Sequence, residues 1–383
     1  MLKSAAYASA NFMPGDDREW FERSTFWQDY KPVKRGAPKK FKYREPLILC
    51  GHGVNIRIDH NTLLVRDGFT HYPQKREQFR FFPGDADLPD RIIVLDGDGA
   101  ISLHALSWMA EQKIEFLQLN WQGQINNISG NSGYSGNSKI ISAQRATKGT
   151  KKEAEIARTL ISEKIVNSIE TLEKAIPKSD QREFALDRLG QKLQEIGKAR
   201  NCPTTSKMLG IEGVCAQAYF SAWNGLPIKW SGFKRKPIPD NWHTLVPRTM
   251  TWRKRARLAR HPVNAMLNYG YGVLAHQLKA QVIANGLDPT IGIIHGNSQN
   301  PIPLVYDLME PMRPVVDRQV LEFALSNTFT PGDFTISKWG GCRLNPQLAK
   351  VVASKMAEVK FGLAVEEILA PLVNYSPAAY LST

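Results

Sequence analysis

Short apolar runs in the first third of the chain predict β-strands. They are rich in β-branched and aliphatic residues, and Gly, Asn and Asp separate them, which is typical of strands joined by turns. The runs are LILCGHG (47–53), NIRID (55–59), TLLVRDG (62–68) and RIIVLDG (91–97). Residues 101–112 then have the apolar spacing of a helix, and residues 114–120 return to a strand pattern. The stretch 126–138, rich in Gly, Ser and Asn, predicts a linker or loop.

Beyond residue 150 the apolar residues recur at intervals of three and four, which predicts helices. Five such stretches follow one another: 151–176, 182–200, 205–224, 263–285 and about 315–326. We therefore predict an α+β fold in three parts. A basic N-terminal extension (1–45) precedes a small β-rich domain (46–140), and a larger all-α domain (150–383) follows.

Length and composition narrow the class of protein. A chain of 383 residues suggests two domains or at most three, and 42% apolar with 22% charged residues excludes disorder as the main state. No run of roughly 18 apolar residues occurs, so no spanning helix and no membrane association are expected. The start of the chain lacks the apolar segment of a secretory signal. The four cysteines form no C-x-x-C pair, which indicates reduced thiols in a cytoplasmic protein.

Charge points to a polyanionic partner, since 50 Lys and Arg against 36 Asp and Glu give a net charge of +14. One acid-free basic cluster, residues 31–44, predicts an extended arm. A second, the basic segment 229–260, carries ten basic residues and one acid. Four aromatic residues lie within it: Trp230, Phe233, Trp242 and Trp252. This mixture suits binding of DNA strand ends or single strands, but a solvated loop whose aromatic residues anchor it to the core is an equal alternative.

Three segments of the helical half carry side chains suited to metal chemistry. Glu212 flanks an apolar stripe, where a carboxylate is costly unless paired or bound to metal, although spacing alone favours an exposed or salt-bridged Glu. His295 ends an apolar run, a place that more often holds an ordinary structural histidine than a ligand. Asp307 and Glu310 can share one helical face, but D-x-x-E is also a helix-start capping box. Together, two acids and a His suit Mn²⁺ or Mg²⁺.

Four motifs in these regions have a familiar order and spacing. They are Glu212-Gly213 with Ala216 and Tyr219-Phe220, then PVNAMLNYGYGVL (262–274), GLDPTIGIIH (286–295) and PLVYDLMEPMRPVVDR (303–318). In this arrangement the chain resembles the CRISPR-associated protein one family, the integrases that insert new spacers into CRISPR arrays. Residues 91–123 and 340–352 are also similar to family elements, so the resemblance covers roughly residues 46–360.

The resemblance implies a β-sandwich-like N-terminal domain and an α-helical catalytic domain. It also implies a homodimer that joins a small ferredoxin-like CRISPR-associated adaptation partner. The implied metal ligands, for Mg²⁺ or Mn²⁺, are Glu212, His295 and Glu310. Asp307 matches the other acid of the motif, which lies beside the metal as a supporting group or auxiliary ligand.

The expected function is metal-dependent integration, in which a DNA 3′-hydroxyl attacks a phosphodiester at the boundary of a CRISPR repeat. The expected substrates are double-stranded DNA with frayed or single-stranded 3′ ends and CRISPR repeat DNA. The basic segment supplies the candidate DNA contacts Lys234, Arg235, Lys236, Arg248, Arg253, Lys254 and Arg255. Two alternatives stay open: a transposon-borne or stand-alone integrase or nuclease, and a catalytically silent DNA-binding scaffold. The resemblance implies no role for residues 1–45.

Overall fold

The structure, a computed structural model, describes residues 17–30, 46–129, 138–198, 204–232, 234, 236–246, 258–294 and 302–357. Its contacts divide the chain into two units, each assembled from separate stretches. The first comprises Met1–Asn131, Gly225–Val273 and Glu322–Val359, and the second comprises Ser132–Asn224, Leu274–Leu321 and Lys360–Thr383. The sequence pattern predicted contiguous domains instead, because periodicity does not report which distant segments pack together.

Residues 46–129 of the first unit form two four-stranded sheets. The strands are β1 (Leu47–Cys50), β2 (Val54–Asp59), β3 (Thr62–Arg66), β4 (Gln78–Phe81), β5 (Arg91–Leu95), β6 (Gly99–Ile101), β7 (Glu115–Leu119) and β8 (Ile125–Ser129). In the sheet ordered β1-β5-β7-β8, only β8 is antiparallel to its neighbour. In the sheet ordered β4-β3-β2-β6, β3 is antiparallel to β2 and β4, and β6 is parallel to β2. β8 occupies part of the predicted linker 126–138, of which residues 130–137 lie outside the described residues.

Both sheets and helix α2 (Leu103–Glu111) contribute to one apolar core. Along β2, buried Val54 and Ile56 alternate with more exposed residues, the pattern of a sheet with one covered face. In β5, residues 92–95 are all buried, as expected of a parallel strand covered on both faces. Trp108 of α2 lies in this core, and a later helix, α10 (Pro346–Ala357), contacts β1 and β5.

Helix α1 (Asp17–Asp29) belongs to the first unit, although the pattern of residues 1–45 predicted only a basic extension. Trp20 and Trp27 are buried, and Trp27 Nε1 donates a hydrogen bond to Asp333 Oδ1 at 2.7 Å. The predicted arm at residues 31–44 lies outside the described residues. Part of the extension is therefore packed into the fold.

Residues 150–383 were predicted to be all-helical. The structure differs, because four short strands interrupt the helices of this region. They are β9 (Lys229–Trp230), β10 (Thr328–Phe329), β11 (Phe334–Ile336) and β12 (Cys342–Leu344). β9 pairs in parallel with β10, and β11 pairs antiparallel with β12. All four belong to the first unit. The fold is thus mixed α/β.

Every element that the structure describes in the second unit is a helix. The helices are α3 (Ser138–Ala146), α4 (Lys151–Ala175), α5 (Asp180–Lys198), α6 (Thr205–Ser221), α8 (Pro303–Met309) and parts of α7 (Pro262–Ala284) and α9 (Arg313–Ser326). The five predicted helices agree with α4, α5, α6, α7 and α9 to within three residues at each end. α4, α5 and α6 pack against one another. Among all helices of the described ranges, none is long and apolar enough to cross a membrane.

Candidate functional site

Helix α6 places Glu212 at the edge of the packed helices of the second unit. Thr204 caps this helix, because its side-chain oxygen accepts a hydrogen bond from Lys207 N at 3.3 Å. Ile211 and Cys215 of the same helix are buried, whereas the Glu212 side chain is 20% exposed. Of the alternatives weighed for Glu212, the structure has the salt-bridged one.

Lys164 of α4 is the cation that joins two of the predicted metal ligands. Its Nζ donates to Glu212 Oε1 and to Glu310 Oε2, the latter at 2.6 Å. Glu310 Oε1 also lies 3.4 Å from Arg313 Nε. Burial acts to lower the pKa of Lys164, but the charges and hydrogen bonds of the two carboxylates outweigh it and raise the pKa. Lys164 therefore stays an ammonium at neutral pH, and Glu310 and Glu212 share it.

Asp307 and Glu310 lie at the end of α8, so the interpretation of D-x-x-E as a helix-start capping box is wrong. Asp307 is fully buried, and its Oδ2 accepts hydrogen bonds from Ile293 N at 2.6 Å and Ile294 N at 3.0 Å. The backbone that Asp307 holds leads directly to His295, which itself lies outside the described residues. Asp307 thus holds the backbone of the two residues that directly precede the predicted histidine ligand in the sequence.

One face of α4 holds the turn that follows Glu310. Asn167 Nδ2 donates to Pro311 O at 2.8 Å, and Thr171 Oγ1 donates to Pro314 O at 2.7 Å. Lys164, Asn167 and Thr171 are spaced by three and four residues, which places them in one row on a helix. The turn therefore has fixed backbone partners, and the position of the Glu310 carboxylate follows from them.

The structure brings together Glu212 and Glu310 through a shared cation, and it places Asp307 on the same helix end as Glu310. Within the described ranges, no three side chains of His, Cys, Asp or Glu are arranged to hold a metal ion. The third predicted ligand, His295, falls in the gap at residues 295–301. The metal-ligand assignment accordingly stays a prediction.

Reasoning from the sequence missed Lys164, although its spacing carries a signal. Lys164 follows buried Ile161 by three residues and precedes buried Ser168 by four. It therefore lies on the buried stripe of α4, where a lone lysine is costly unless a carboxylate pairs with it. The need of Lys164 for a carboxylate partner is the signal from which a pairing with Glu212 could have been predicted.

The thiol of Cys215, one helical turn beyond Glu212, is not suited to act as a nucleophile. Burial, and then the negative charge of Glu212, raise its pKa to about 11. Because the thiolate is the reactive form, Cys215 is largely unreactive at neutral pH.

The family pattern described as CRISPR associated protein Cas1 matches residues 47–358 of the chain. The chain belongs to the Cas1 family. It is 33% identical over 159 residues to the CRISPR-associated endonuclease Cas1 1 of Methanospirillum hungatei, across 41% of this chain and 42% of that protein. It is 30% identical over 251 residues to the CRISPR-associated protein Cas1 3 of Methanobrevibacter ruminantium, across 62% of this chain and 67% of that protein. The chain thus spans less than half the length of the first of these relatives.

Solved structures share the fold of this Cas1-family chain. A casposase bound to integration product has a TM-score of 0.68 and 23% identity, over 87% of this chain and 92% of that one. A Cas1 protein from Thermotoga maritima has a TM-score of 0.58 and 19% identity, over 82% and 90% of the two chains. At these identities the likeness concerns the fold.

The basic segment of this Cas1-family chain falls only partly within the described residues. Lys234 is exposed, and the half-buried Lys236 places its Nζ 3.7 Å from Glu19 Oε2 of α1. The remaining predicted DNA contacts lie outside the described residues, namely Arg235, Arg248, Arg253, Lys254 and Arg255. Lys236 therefore has a partner within the fold.

Two of the four aromatic residues in the basic segment anchor it to the first unit. Trp242 is buried, and its Nε1 donates to Arg260 O at 2.8 Å. Trp230 stacks on Trp242 with ring centroids 5.8 Å apart, and its Nε1 donates to Trp242 O at 3.1 Å. Of the two alternatives weighed for the segment, these contacts favour anchoring to the core for Trp230 and Trp242, because the two rings stack on each other and both N–H groups are hydrogen-bonded. Phe233 and Trp252 lie outside the described residues.

Proposed function

We propose that this protein is a DNA integrase and endonuclease of CRISPR adaptation, which inserts prespacer DNA into a CRISPR array. The observation that carries the proposal is that the carboxylates of Glu212 and Glu310 meet at the ammonium group of Lys164. Asp307 holds the adjacent backbone that leads to the predicted histidine. Relatives named CRISPR-associated endonucleases support the same class of activity.

The cofactor in this proposal is Mg²⁺ or Mn²⁺, with Glu212, His295 and Glu310 as ligands. The residues present fit such an ion, because the carboxylates of Glu212 and Glu310, from two different helices, already direct one oxygen each at the positive charge of Lys164. A His ligand favours Mn²⁺ over Mg²⁺. When bound, the ion supplies Lewis-acid stabilisation of negative charge at a phosphate. Asp307 contributes by holding the backbone before His295 in place.

The proposed reaction is a transesterification. The 3′-hydroxyl oxygen of the incoming strand forms a bond to the phosphorus at the repeat boundary and loses its proton. The bond from that phosphorus to the 3′ oxygen of the cleaved strand breaks, and this leaving oxygen takes up a proton. One phosphodiester is exchanged for another, so the reaction needs neither a nucleotide cofactor nor a protein nucleophile.

The proposed partners follow from this chemistry and from the family. They are double-stranded DNA with frayed or single-stranded 3′ ends, CRISPR repeat DNA, a second copy of the chain, and a small ferredoxin-like CRISPR-associated protein. A solved Cas6-RT-Cas1–Cas2 complex supports a CRISPR-associated partner protein, with a TM-score of 0.60 and 20% identity over 88% of this chain and 35% of that one. The cytoplasm is the proposed location.

A transposon-borne integrase is the second candidate function. The casposase with a TM-score of 0.68 motivates it, because that protein is described as bound to an integration product. The two functions differ in the target DNA, which is a CRISPR repeat for one and a terminal repeat or flanking site for the other. A competition between the two targets separates them.

A strand-transfer assay tests the proposed function. The full chain is incubated with Mn²⁺, a short duplex with free 3′-hydroxyl ends and a supercoiled plasmid that carries a CRISPR repeat, with and without the small partner. Glu212→Gln and His295→Ala are expected to abolish plasmid-linked product while DNA binding is retained. Lys174→Met is the matched control, because Lys174 lies on α4 in an exposed pair with Glu170.

Product joined at the repeat boundary, and lost in both site variants, supports the adaptation integrase. Product joined preferentially at terminal-repeat DNA supports the transposon-borne alternative. DNA binding with no transfer under any condition favours the silent scaffold. Equal loss of binding and transfer in Glu212→Gln and His295→Ala would contradict the metal-ligand assignment, since it would indicate a damaged fold.

A further inference from the structure

Lys164 holds the same two carboxylates to which the proposed function assigns a divalent ion. Its Nζ bonds one oxygen of Glu212 and one of Glu310. With Arg313 beside Glu310, the charges of these four side chains balance. The side chains of Lys164, Glu212 and Glu310 are each at most 20% exposed, so water screens the charges weakly. An added divalent ion would therefore meet an already neutralised pair.

We propose that Lys164 is an internal counter-ion that occupies the carboxylate pair of Glu212 and Glu310 until a divalent cation binds. The ammonium of Lys164 and a divalent ion held by the same two carboxylates would repel each other at this distance, so Lys164 competes with the ion and lowers the affinity of the site. The proposal rests on the proposed function, because it takes Glu212 and Glu310 as metal ligands. Lys164 is a positioning residue in the metal-free protein and a competitor of the metal.

The packing of α4 confines this exchange to one side chain. Asn167 and Thr171 tie the helix to the carbonyl groups of Pro311 and Pro314, so the backbone on both sides has fixed partners. The lysine stem is a flexible four-carbon chain, which lets the ammonium move without the helix. Exchange of the cation therefore needs a change of rotamer and no rearrangement of the fold.

Mn²⁺ binding to the full chain tests this role without any assay of activity. Lys164→Met keeps an unbranched side chain only one atom shorter and removes its charge. It leaves two partly buried carboxylates without their shared partner, so the variant without added metal should unfold at a lower temperature than wild type. Its Mn²⁺ affinity, measured by calorimetry or by the spin-resonance signal of free Mn²⁺, should be roughly tenfold or more tighter. Its unfolding temperature should also rise further on addition of Mn²⁺.

Lys164→Arg gives the opposite expectation. A guanidinium keeps the charge and can hold two carboxylates with more hydrogen bonds, so Mn²⁺ affinity should fall several-fold. If Lys164→Met does not fold, the Mn²⁺ affinity of Lys164→Arg alone tests the counter-ion role of Lys164. Lys174→Met, which removes a lysine from an exposed pair on the same helix, should bind Mn²⁺ as wild type does.

The outcomes separate this inference from the proposed function. If wild type binds Mn²⁺, Glu212→Gln loses it, and the two Lys164 variants shift the affinity in opposite directions, both stand. If wild type and Glu212→Gln behave as stated but Lys164→Met binds Mn²⁺ equally or more weakly, only the counter-ion role is overturned. An unchanged or tighter affinity in Lys164→Arg overturns it in the same way. If wild type binds no Mn²⁺, the metal site and the counter-ion role are both rejected.

Discussion

Among single residues, Asp307 supports the site by accepting two backbone hydrogen bonds in a fully buried place. Asp307→Ala leaves the N–H groups of Ile293 and Ile294 without this acceptor, and an unsatisfied buried donor costs about 1–3 kcal/mol. We therefore expect the free energy of unfolding to fall by about 2–4 kcal/mol, as measured by urea unfolding of the full chain. Strand transfer should fall with it, because the backbone before His295 is no longer held.

The matched control for Asp307 is Asp288→Ala. Asp288 also accepts a backbone N–H, from Thr290, but in an exposed position where water can replace it. Its loss should cost less than about 1 kcal/mol. Equal destabilisation by Asp307→Ala and Asp288→Ala would show that burial of the Asp307 hydrogen bonds is not what matters.

Among the elements, helix α7 begins with a cap that requires a neutral histidine. His261 Nδ1 accepts a hydrogen bond from Val263 N at 3.2 Å, and Pro262 takes the first helical position, where a missing N–H is tolerated. Burial lowers the pKa of His261 from 6.5 to about 4. The unfolded chain thus takes up a proton at a higher pH than the folded one. The contribution of His261 to stability is therefore complete above about pH 6.5 and is lost as the pH falls towards 4.

His261→Asn tests this pH dependence, because Asn accepts the same kind of cap hydrogen bond and does not titrate. Between pH 7 and pH 4 the wild type should lose about 3 kcal/mol more of its free energy of unfolding than the variant does. Urea midpoints measured across this range provide the comparison. Parallel pH profiles for the two proteins would contradict a role for His261.

The elements also show what the sequence could and could not predict. The long helices α4 and α5 were predicted to within two residues, because their apolar periodicity extends over several turns. Helix α1 was missed, since Trp27 finds its partner Asp333 306 residues away and nothing local reports it. Lys164 differs, because its place on the buried stripe of α4 indicates a carboxylate partner but does not identify it, since the two partners lie 48 and 146 residues away. Helical spacing singled out Glu212, Asp307 and Glu310 as candidates, and the order and spacing of motifs that resemble a family assigned them their roles.

For the whole molecule, the net charge of +14 predicts that DNA affinity falls steeply with salt, because each phosphate contact releases counter-ions. If the basic segment 229–260 contacts the DNA phosphates, changing Arg253, Lys254 and Arg255 together to Gln should reduce the slope of log affinity against log salt. The expected reduction is up to about 3, at about 0.9 for each phosphate contact on a duplex. Titrations of a labelled duplex at several salt concentrations measure this slope.

A charge-matched control separates the basic segment from the overall charge. Changing Arg18, Arg80 and Lys174 to Gln removes the same three positive charges, but each of these residues is already paired with a carboxylate on the surface. The slope should then change by less than about 1, because net charge acts over a Debye length and weakly at physiological salt, whereas direct contacts release counter-ions one by one. Equal slopes for the two triple variants would mean that the whole surface attracts the DNA. In that case the segment 229–260 would not be the specific DNA-binding surface, even though it holds ten of the 50 basic residues.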